Sequence, residues 1–404
     1  MRLNLGIDLP TGRLLIFVNP NSGAGNGMKT FNQRMQPLLS QRGIAYELVV
    51  TKGPGQAEQA ARERTDLAEF AGVLIVSGDG LVFEWLNGLC ARGDSFSLVP
   101  HLPIGIVPSG SGNGLLASVF ASKNYPLKGE KFLDKAIRIS TSASSVAVPV
   151  NLIHVQTDRK NIVSFLSFGW GLLADIDIES ERWRRTLGSS RFVAGALIRC
   201  LNLRSYRGKL SFLPYDKSTR TTSPYAYPVH PCSAKERATI EPRRQRNRDD
   251  SAYSSTTFPR EDDQEWEAVH SVHDVPNIER PIPEQWTTID DDFVFVYAMA
   301  KSHIANDGPL MPQAKTYEDR IYLTYAVRRD CSRIGLARFL NDIETASHLD
   351  APFFKVIEVS AFRLEPEIEG SSYLVVDGEV VTARSIQATV TRLHSTIMVA
   401  NETV

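Results

Sequence analysis

The chain has 404 residues, 42% of them hydrophobic, which is enough for two or three domains with large apolar cores. Lysine and arginine total 45 against 46 acidic residues, so the net charge of -1 excludes any argument from overall charge for nucleic-acid or anionic-membrane binding. The four cysteines lack metal-site spacing, and we find neither a signal-peptide pattern nor an apolar run of the roughly 18 residues that span a bilayer. We therefore expect a cytoplasmic protein that binds no nucleic acid.

Apolar runs alternate with segments of helical periodicity over about the first 125 residues. This alternation predicts an α/β domain with a doubly wound parallel sheet. The predicted strands lie at 12–20, 44–50, 72–76 and 104–107, and the predicted helices at 28–39, 55–70, 80–91 and 115–121.

Three of these strands end in glycine-rich loops, at 19–27, 77–80 and 109–113. Ligands of a doubly wound sheet bind beyond the carboxyl ends of the strands, so the three loops are expected to converge on one site. Glycine lets a ligand approach the main chain closely, and the amides at a helix N-terminus attract phosphate. None of the loops is a Walker A sequence or a GxGxxG dinucleotide motif, so a nucleotide would be held in another way.

Asp79 lies in the second loop, between Gly78 and Gly80, where a strand gives way to a helix. A carboxylate repels a phosphate, so an acid in a phosphate-type turn is explained if it holds Mg²⁺ or takes a proton from an attacking hydroxyl. The alternative is that Asp79 only caps the helix. The motif alone leaves both interpretations open.

From residue 146 onward the pattern changes to apolar or alternating runs, which favour a mainly antiparallel second domain. Between 214 and 284 the composition shifts to proline, serine, threonine and charge, which predicts a disordered insertion. We therefore place the domains at 1–145 and 146–404. The predicted strands of the second domain are 146–155, 162–168, 209–213, 293–299, 321–327, 353–364, 373–381 and 385–399, and its helices are 171–182, 191–202 and 332–347.

Several motifs together resemble a known family. Those shared with the diacylglycerol-kinase-like lipid kinase superfamily are FVNPNSG at 17–23, SGDG at 77–80, PSGSGN at 108–113 and DGE at 377–379. The segment SFGWGLLADIDIESE at 167–181 and the arginines that follow it are similar to the sphingosine kinase branch. The resemblance covers nearly the whole chain apart from the insertion. It implies a nucleotide-binding α/β domain that faces a mainly antiparallel β-sandwich domain for lipid.

The resemblance implies ATP-dependent phosphorylation of the primary hydroxyl of sphingosine or a related sphingoid base, giving the 1-phosphate. Asp79 matches the family's catalytic aspartate, which takes the proton from that hydroxyl. Mg²⁺ would be carried mainly by ATP, so no metal-ligand set is assigned to the protein. The positions that the resemblance places around ATP and Mg²⁺ are Asn19, Pro20, Asn21, Thr51, Ser77, Gly78, Gly80, Gly110, Ser111, Arg184, Arg191, Asp377, Gly378 and Glu379.

The resemblance assigns Asp177 to the amine of the substrate and places Ser167 beside the substrate as well. Asp175 and Asp177 follow an apolar stretch, where a carboxylate is costly unless a cation or water meets it. A sphingoid base carries a protonated amine near its hydroxyl, whereas diacylglycerol carries no charge there. The alternative is that a carboxylate at the start of a helix is stabilised by the helix dipole. This explains the presence of one of the two acids but not obviously of both.

Residues 192–201 combine apolar side chains such as Leu197 and Ile198 with flanking arginines. The pattern is typical of a small membrane-docking face, and equally of a helix packed on the sandwich. A transient membrane surface is therefore an expected partner, because a lipid substrate lies in a membrane. The sequence does not determine the oligomeric state.

Three positions depart from the family pattern. Gln56 lies where histidine is frequent, Phe83 replaces a more usual histidine, and Gly114 follows Asn113 where alanine is common. Because Gln56 replaces that histidine, the resemblance does not determine which residues of this loop contact the adenosine part of ATP.

Two other functions remain open. A kinase of a neutral lipid, such as diacylglycerol or ceramide, would have no use for Asp177. A catalytically silent lipid- or nucleotide-binding module would have no use for Asp79, and the presence of Arg184, Arg191 and Glu379 beside it argues against that function. Transfer of phosphate to lipid separates the three functions.

Overall fold

The structure is a computed structural model that describes residues 13–23, 25–110, 112–142, 144–183, 191–216 and 275–401. Most of the insertion predicted at 214–284 therefore lies outside the described residues.

The first unit contains a parallel sheet in the order β4-β3-β1-β2, which confirms the predicted doubly wound architecture. All eight residues of β3 are buried, as expected of a central strand whose sheet is covered on both faces. The strands are β1 (Arg13–Val18), β2 (Tyr46–Val50), β3 (Phe70–Ser77) and β4 (Ile104–Pro108). The helices are α1 (Gly27–Thr30), α2 (Gln36–Gln41), α3 (Gln56–Glu63), α4 (Asp79–Cys90), α5 (Ser95–His101), α6 (Gly114–Ser122) and α7 (Gly129–Ser140).

The helix after the first loop is irregular. A π-helical segment, Phe31–Met35, joins α1 to α2, and Pro37 follows it directly within the first turn of α2. Proline has no amide hydrogen to donate to the preceding turn, so the helix changes its hydrogen bonding before this residue.

The second unit is mainly antiparallel, as predicted. β8 and β10 each pair with both β9 and β11, so these four strands close on themselves. The strands are β5 (Val146–Thr157), β6 (Asn161–Ser164), β7 (Ser167–Gly171), β8 (Tyr206–Pro214), β9 (Thr287–Met299), β10 (Ile321–Val327), β11 (Lys355–Pro366), β12 (Leu374–Val376), β13 (Glu379–Val381) and β14 (Ile386–Val399). The helices are α8 (Leu172–Ser180), α9 (Arg191–Leu201) and α10 (Arg333–Asp342).

Two predicted strands were wrong, because each is divided in the structure. The run 373–381 forms β12 and β13, which pair with each other across Asp377 and Gly378. The run 162–168 is divided into β6 and β7, because the carboxylate of Asp377 accepts hydrogen bonds from the amides of 165–167 and bends the chain there. The sequence analysis also did not predict α5, which contains Pro100.

The two units share strands and core. β14 belongs to the antiparallel unit through β5 and β11, yet its Ile397 also pairs in parallel with Ile104 of β4. The hydroxyl of Thr396 donates to the main-chain oxygen of Pro100 at 3.2 Å, which ties the same strand to α5. Among the described residues, no helix is long and apolar enough to cross a bilayer.

Candidate active site

The three glycine-rich loops lie against one another beyond the ends of β1, β3 and β4. A Cβ atom on Gly23, whose φ is +57°, would lie 2.2 Å from the main-chain oxygen of Ser109. A Cβ on Gly110 would lie 2.6 Å from the Cα of Gly78. Main chains this close leave no room for a side chain, so these contacts require glycine.

Polar groups of the first and second loops meet at the same edge of the sheet. The hydroxyl of Ser77 donates to that of Ser22 at 3.2 Å. Asn19 Oδ1 accepts the amide of Asn21 at 2.9 Å, which closes the start of the loop around Pro20. The side chains and amides of these two loops are therefore arranged around one concave stretch of backbone.

The loop after β2 joins this edge through Thr51. Its amide and its hydroxyl donate to the main-chain oxygen of Val18, at 2.9 and 3.4 Å. Gln56 Oε1 accepts the amide of Lys52 at 2.7 Å. The glutamine that replaces the family's histidine therefore closes its own loop.

Asp79 is the first residue of α4, but its carboxylate is buried at the N-terminus of α6. Oδ2 accepts the amide of Gly114 at 2.6 Å, and Oδ1 accepts that of Leu115 at 3.3 Å. Asp79 thus caps α6 rather than α4, whose N-cap Gly78 has no side-chain hydrogen bond. Burial raises the pKa of Asp79 to about 7; the two amides oppose this rise, and the charge of Asp377 adds to it. This carboxyl group therefore exchanges its proton near neutral pH.

Gly114 lies where the second unit packs on α6. A Cβ there would lie 2.8 Å from the main-chain oxygens of both His303 and Ile304. One turn later, the hydroxyl of Ser118 accepts the amide of His303 at 3.0 Å and donates to the oxygen of Gly114 at 2.8 Å. This close packing explains why glycine occupies the position in this chain.

Asp377 and Gly378 form a two-residue hairpin turn between β12 and β13, with φ angles of 52° and 87°. The resemblance places Asp377 at the nucleotide, and this role stays a prediction. Its carboxylate accepts the hydroxyl of Ser164 and the amides of 165–167, at distances of 2.7 to 3.0 Å. Because four internal donors engage this carboxylate, Asp377 holds the turn between β6 and β7.

Glu379, the next residue of the hairpin, lies over the start of α4. A Cβ on Gly80 would lie 2.6 Å from Glu379 Oε1, which places that carboxylate beside the residue that follows Asp79. Carboxylate oxygens are the protein ligands that Mg²⁺ prefers. Within the described ranges, no three His, Cys, Asp or Glu side chains are grouped as a metal site.

The two acids of α8 have different surroundings. Asp175 is buried, and it accepts the hydroxyls of Tyr206 and Ser372 and pairs with Arg199 at 3.3 Å. Asp177 is only half-buried, and its charge acts on the hydroxyl of Tyr297. Asp175 therefore stabilises the fold, and Asp177 is the acid of the pair that lies at the surface of the site.

An apolar cluster packs directly against α8. Its buried members come from α8, α9, β9, β10, α10 and the segments around 310, 331 and 353, and Leu173 packs against it. They include Leu172, Ile176, Phe295, Met299, Leu310, Met311, Phe339 and Phe353. Asp177 thus lies on a helix that contributes Leu172 and Ile176 to this apolar cluster.

Three of the predicted site residues cannot be assessed. Ser111 and Arg184 lie outside the described residues. Arg191 is the first residue of α9, but its side chain is not described.

The sequence analysis missed two residues that the structure places in or behind the site. Asn87 of α4 is buried, and its amide side chain bonds to both main-chain groups of Val163 in β6, at 2.9 and 3.0 Å. It links the helix of Asp79 to the strand that leads to Ser167. Tyr297, whose hydroxyl lies 3.3 Å from that of Ser167, had no local signal because it reads as one more apolar position of β9. Asn87 belongs to the motif around Asp79. The signal that identifies it is an amide side chain at a helix position expected to be buried, because such an amide needs a main-chain partner.

Comparison with known proteins agrees with this geometry. Residues 13–148 match the model of the diacylglycerol kinase catalytic domain. The overall fold is similar to the crystal structure of a Bacillus anthracis protein assigned as a diacylglycerol kinase, with a TM-score of 0.61 at 14% identity, covering 100% of this chain and 99% of that one.

Relatives of known family cover almost the whole chain. Sphingosine kinase 1 of Caenorhabditis elegans is 42% identical over 96% of this chain and 81% of its own length. Human sphingosine kinase 1 is 31% identical over 94% of this chain and 88% of its own length. Identities of 42% and 31%, over more than nine tenths of this chain and more than four fifths of each relative, show that the chain belongs to the sphingosine kinase family of lipid kinases.

Proposed function

We propose that the protein transfers the γ-phosphoryl group of ATP to the primary hydroxyl of a sphingoid base. The observation that carries this proposal is the buried carboxylate of Asp79, which lies at the second glycine-rich loop and is held by the amides of Gly114 and Leu115. Phosphoryl transfer needs a held phosphate, an in-line hydroxyl and a proton acceptor, and this arrangement supplies a candidate for each.

Asp79 is the proposed base. The amides of Gly114 and Leu115 fix the orientation of its carboxylate, so that it does not need to reorganise when substrate binds. Burial brings its pKa to about 7, close to the pH at which a general base is most effective. It takes the hydroxyl proton as the oxygen attacks the phosphorus atom.

The glycine-rich loops are proposed to hold the phosphates. Their main chains pack so closely at Gly23, Gly78 and Gly110 that the amides, rather than side chains, face the ligand. Arg184 and Arg191 are proposed to add forked donors, which suit phosphate oxygens. Mg²⁺, held by the phosphates with Asp79 and Glu379 nearby, would neutralise charge that develops on the transferred group.

The second unit is proposed to bind the lipid. Asp177 pairs with the protonated amine, and the apolar cluster beside α8 receives the alkyl chain. Asp175 does not take this role, because Arg199 and two hydroxyls already engage its carboxylate.

A kinase of neutral lipid is the rival, and transfer of labelled γ-phosphate from Mg-ATP to sphingosine, diacylglycerol and ceramide separates the two. We expect labelling of sphingosine only. Asp177→Asn should raise the KM for sphingosine about 10- to 100-fold, because a buried ammonium loses its charged partner, while kcat changes little.

Asp342→Asn is the matched control, because this acid lies on α10 of the same unit and its carboxylate bonds only to the neighbouring Asn341 among the contacts described. It should leave the KM unchanged. Labelling of diacylglycerol or ceramide at the level of sphingosine would contradict the proposed substrate, and absence of any labelled lipid would contradict catalysis itself.

We also propose a cytoplasmic location with peripheral association at membranes. Leu197 and Leu201 of α9 are 63% and 70% exposed, and Ile334 of the adjacent α10 is 85% exposed. Arg199, between the two leucines, is buried against Glu179 and is not part of a basic rim. The proposed contact is therefore apolar. We expect the protein to float with vesicles of neutral lipid, without a need for anionic lipid.

A further inference from the structure

Tyr297 lies between the apolar cluster and the acids of the site. It belongs to β9, and its ring packs against the apolar cluster on one side. On the other side the ring covers the main chain of β7, where a Cβ on Gly169 would lie 2.7 Å from Tyr297 Cε2. Its main-chain oxygen accepts the hydroxyl of Thr324 at 2.7 Å, which adds to the pairing with β10. The ring is therefore fixed in position.

The hydroxyl of Tyr297 points toward the residues proposed to bind the head group. It lies 3.3 Å from the hydroxyl of Ser167, whose amide is held by Asp377 at 2.8 Å. Burial raises the pKa of Tyr297, Ser167 opposes the rise, and the charges of Asp177 and Asp377 add to it. The phenol thus stays protonated and remains a hydrogen-bond donor at neutral pH.

A pair of hydroxyl groups has spare hydrogen-bonding capacity. Each group has one hydrogen and two lone pairs, and the bond between Tyr297 and Ser167 uses one hydrogen and one lone pair. One hydrogen and several lone pairs are left. The pair is therefore suited to a ligand hydroxyl, which both donates and accepts.

The order of groups in a sphingoid base matches the order of groups in the site. The reacting hydroxyl, the amine, a second hydroxyl and the alkyl chain follow one another along the base. Asp79, Asp177 and the apolar cluster are proposed to meet the first, second and last of these. Tyr297 packs against the apolar cluster while its hydroxyl lies 3.3 Å from that of Ser167, so this pair of hydroxyls is proposed to meet the second hydroxyl of the base.

We infer that Tyr297, with Ser167, binds the hydroxyl on the carbon next to the amine-bearing carbon and makes the enzyme selective for bases that carry it. This inference rests on the proposed function and adds a residue that distinguishes among sphingoid bases. Sites built to hydrogen-bond a substrate hydroxyl reject analogues without it, because their own polar groups are left unpaired.

The test compares sphinganine with its 3-deoxy analogue, which differs only in that hydroxyl. We expect the wild-type kcat/KM to favour sphinganine about tenfold, the effect of losing one hydrogen bond to a buried group. In Tyr297→Phe the preference should fall below about threefold, and it should also fall in Ser167→Ala. The ratio of two substrates on one enzyme is insensitive to how much of a variant is folded.

Tyr215→Phe is the matched control. It removes a tyrosine hydroxyl directly after β8, outside the apolar cluster, where that hydroxyl donates to Asp319 at 3.0 Å, and it should keep the full preference. A wild-type enzyme that does not distinguish the two bases, or a Tyr297→Phe enzyme that still distinguishes them tenfold, would overturn the inference while leaving the proposed kinase activity in place. Failure to phosphorylate either base would overturn the proposed function and this inference together.

Discussion

The phosphate side and the substrate side of the site are built by different means. On the phosphate side, short loops at the ends of adjacent strands bring main chain against main chain, as at Gly78 and Gly110. On the substrate side, single side chains hold segments that are distant in sequence, as Asp377 holds 165–167. The phosphate side should therefore be sensitive to replacement of a glycine by a larger residue. The substrate side should instead be sensitive to removal of a hydrogen-bonding side-chain atom.

Asp79→Asn should produce the largest effect, because Asp79 is the proposed general base and its carboxylate is buried in the site. We expect kcat to fall about a thousandfold, the usual contribution of a general base, while the affinity for ATP stays within about twofold. Steady-state phosphate transfer and calorimetric titration with ATP measure the two quantities.

The pH profile of the wild-type enzyme provides the control. The base must be ionised, and its pKa is near 7, so kcat/KM should rise as the pH is raised through about 7 and then level off. Asp79→Asn should lose this rise. If the variant kept the wild-type profile, the titrating group would be another residue.

Asp377→Asn should have the next largest effect, which we expect on the free energy of unfolding. Asparagine accepts the positive φ at this position, so the change mainly replaces a charged acceptor of four hydrogen bonds by one that leaves buried amides unpaired. We expect the free energy of unfolding to fall by about 3 kcal/mol, measured by urea denaturation.

Ser164→Ala is a graded comparison for this change. It removes one of the four donors and should cost about 1 kcal/mol. If Asp377→Asn cost no more than Ser164→Ala, the carboxylate would not be the group that holds the turn.

Gly78→Ala should have the smallest of the three effects, which we expect on ATP binding at the phosphate side of the site. The new Cβ would lie 2.7 Å from the main-chain oxygen of Gly112, so the second and third loops must move apart. We expect the Kd for ATP to rise about tenfold, or about 1.4 kcal/mol. Gly93→Ala, where a Cβ meets nothing within 4 Å, should leave the Kd unchanged. Equal Kd values for the two variants would contradict the view that main-chain packing shapes this side.

The difference between the two sides also explains what the sequence predicted. The strands and loops of the first unit were predicted because a buried parallel strand is an apolar run and its glycine turn is contiguous with it. The general antiparallel character of the second unit followed from alternating runs. The division of 162–168 into two strands did not, because its cause is Asp377, which lies far away in the chain.

The sequence predicted which residues of the candidate site are unusual, but not the partners of their side chains. Asp79 was singled out as an acid among glycines, but its two amide partners come from another helix. Asp175 and Asp177 are alike in sequence, and only the contacts of Arg199 and Tyr206 with Asp175 separate them. Local patterns specify which residues are unusual, whereas the direction of each side chain depends on partners that folding brings together.

The pairing of β14 with β4 has a consequence for how the molecule is made. A ribosome releases the nucleotide-side strands first, and part of the second edge of β4 is covered only by a strand from the opposite end of the described chain. Until that strand arrives, the nascent sheet presents an open edge, and such edges pair readily with other chains. A fragment ending before residue 386 would contain every glycine loop and still be prone to self-association. The interval between synthesis of β4 and synthesis of β14 then sets how long this edge stays open.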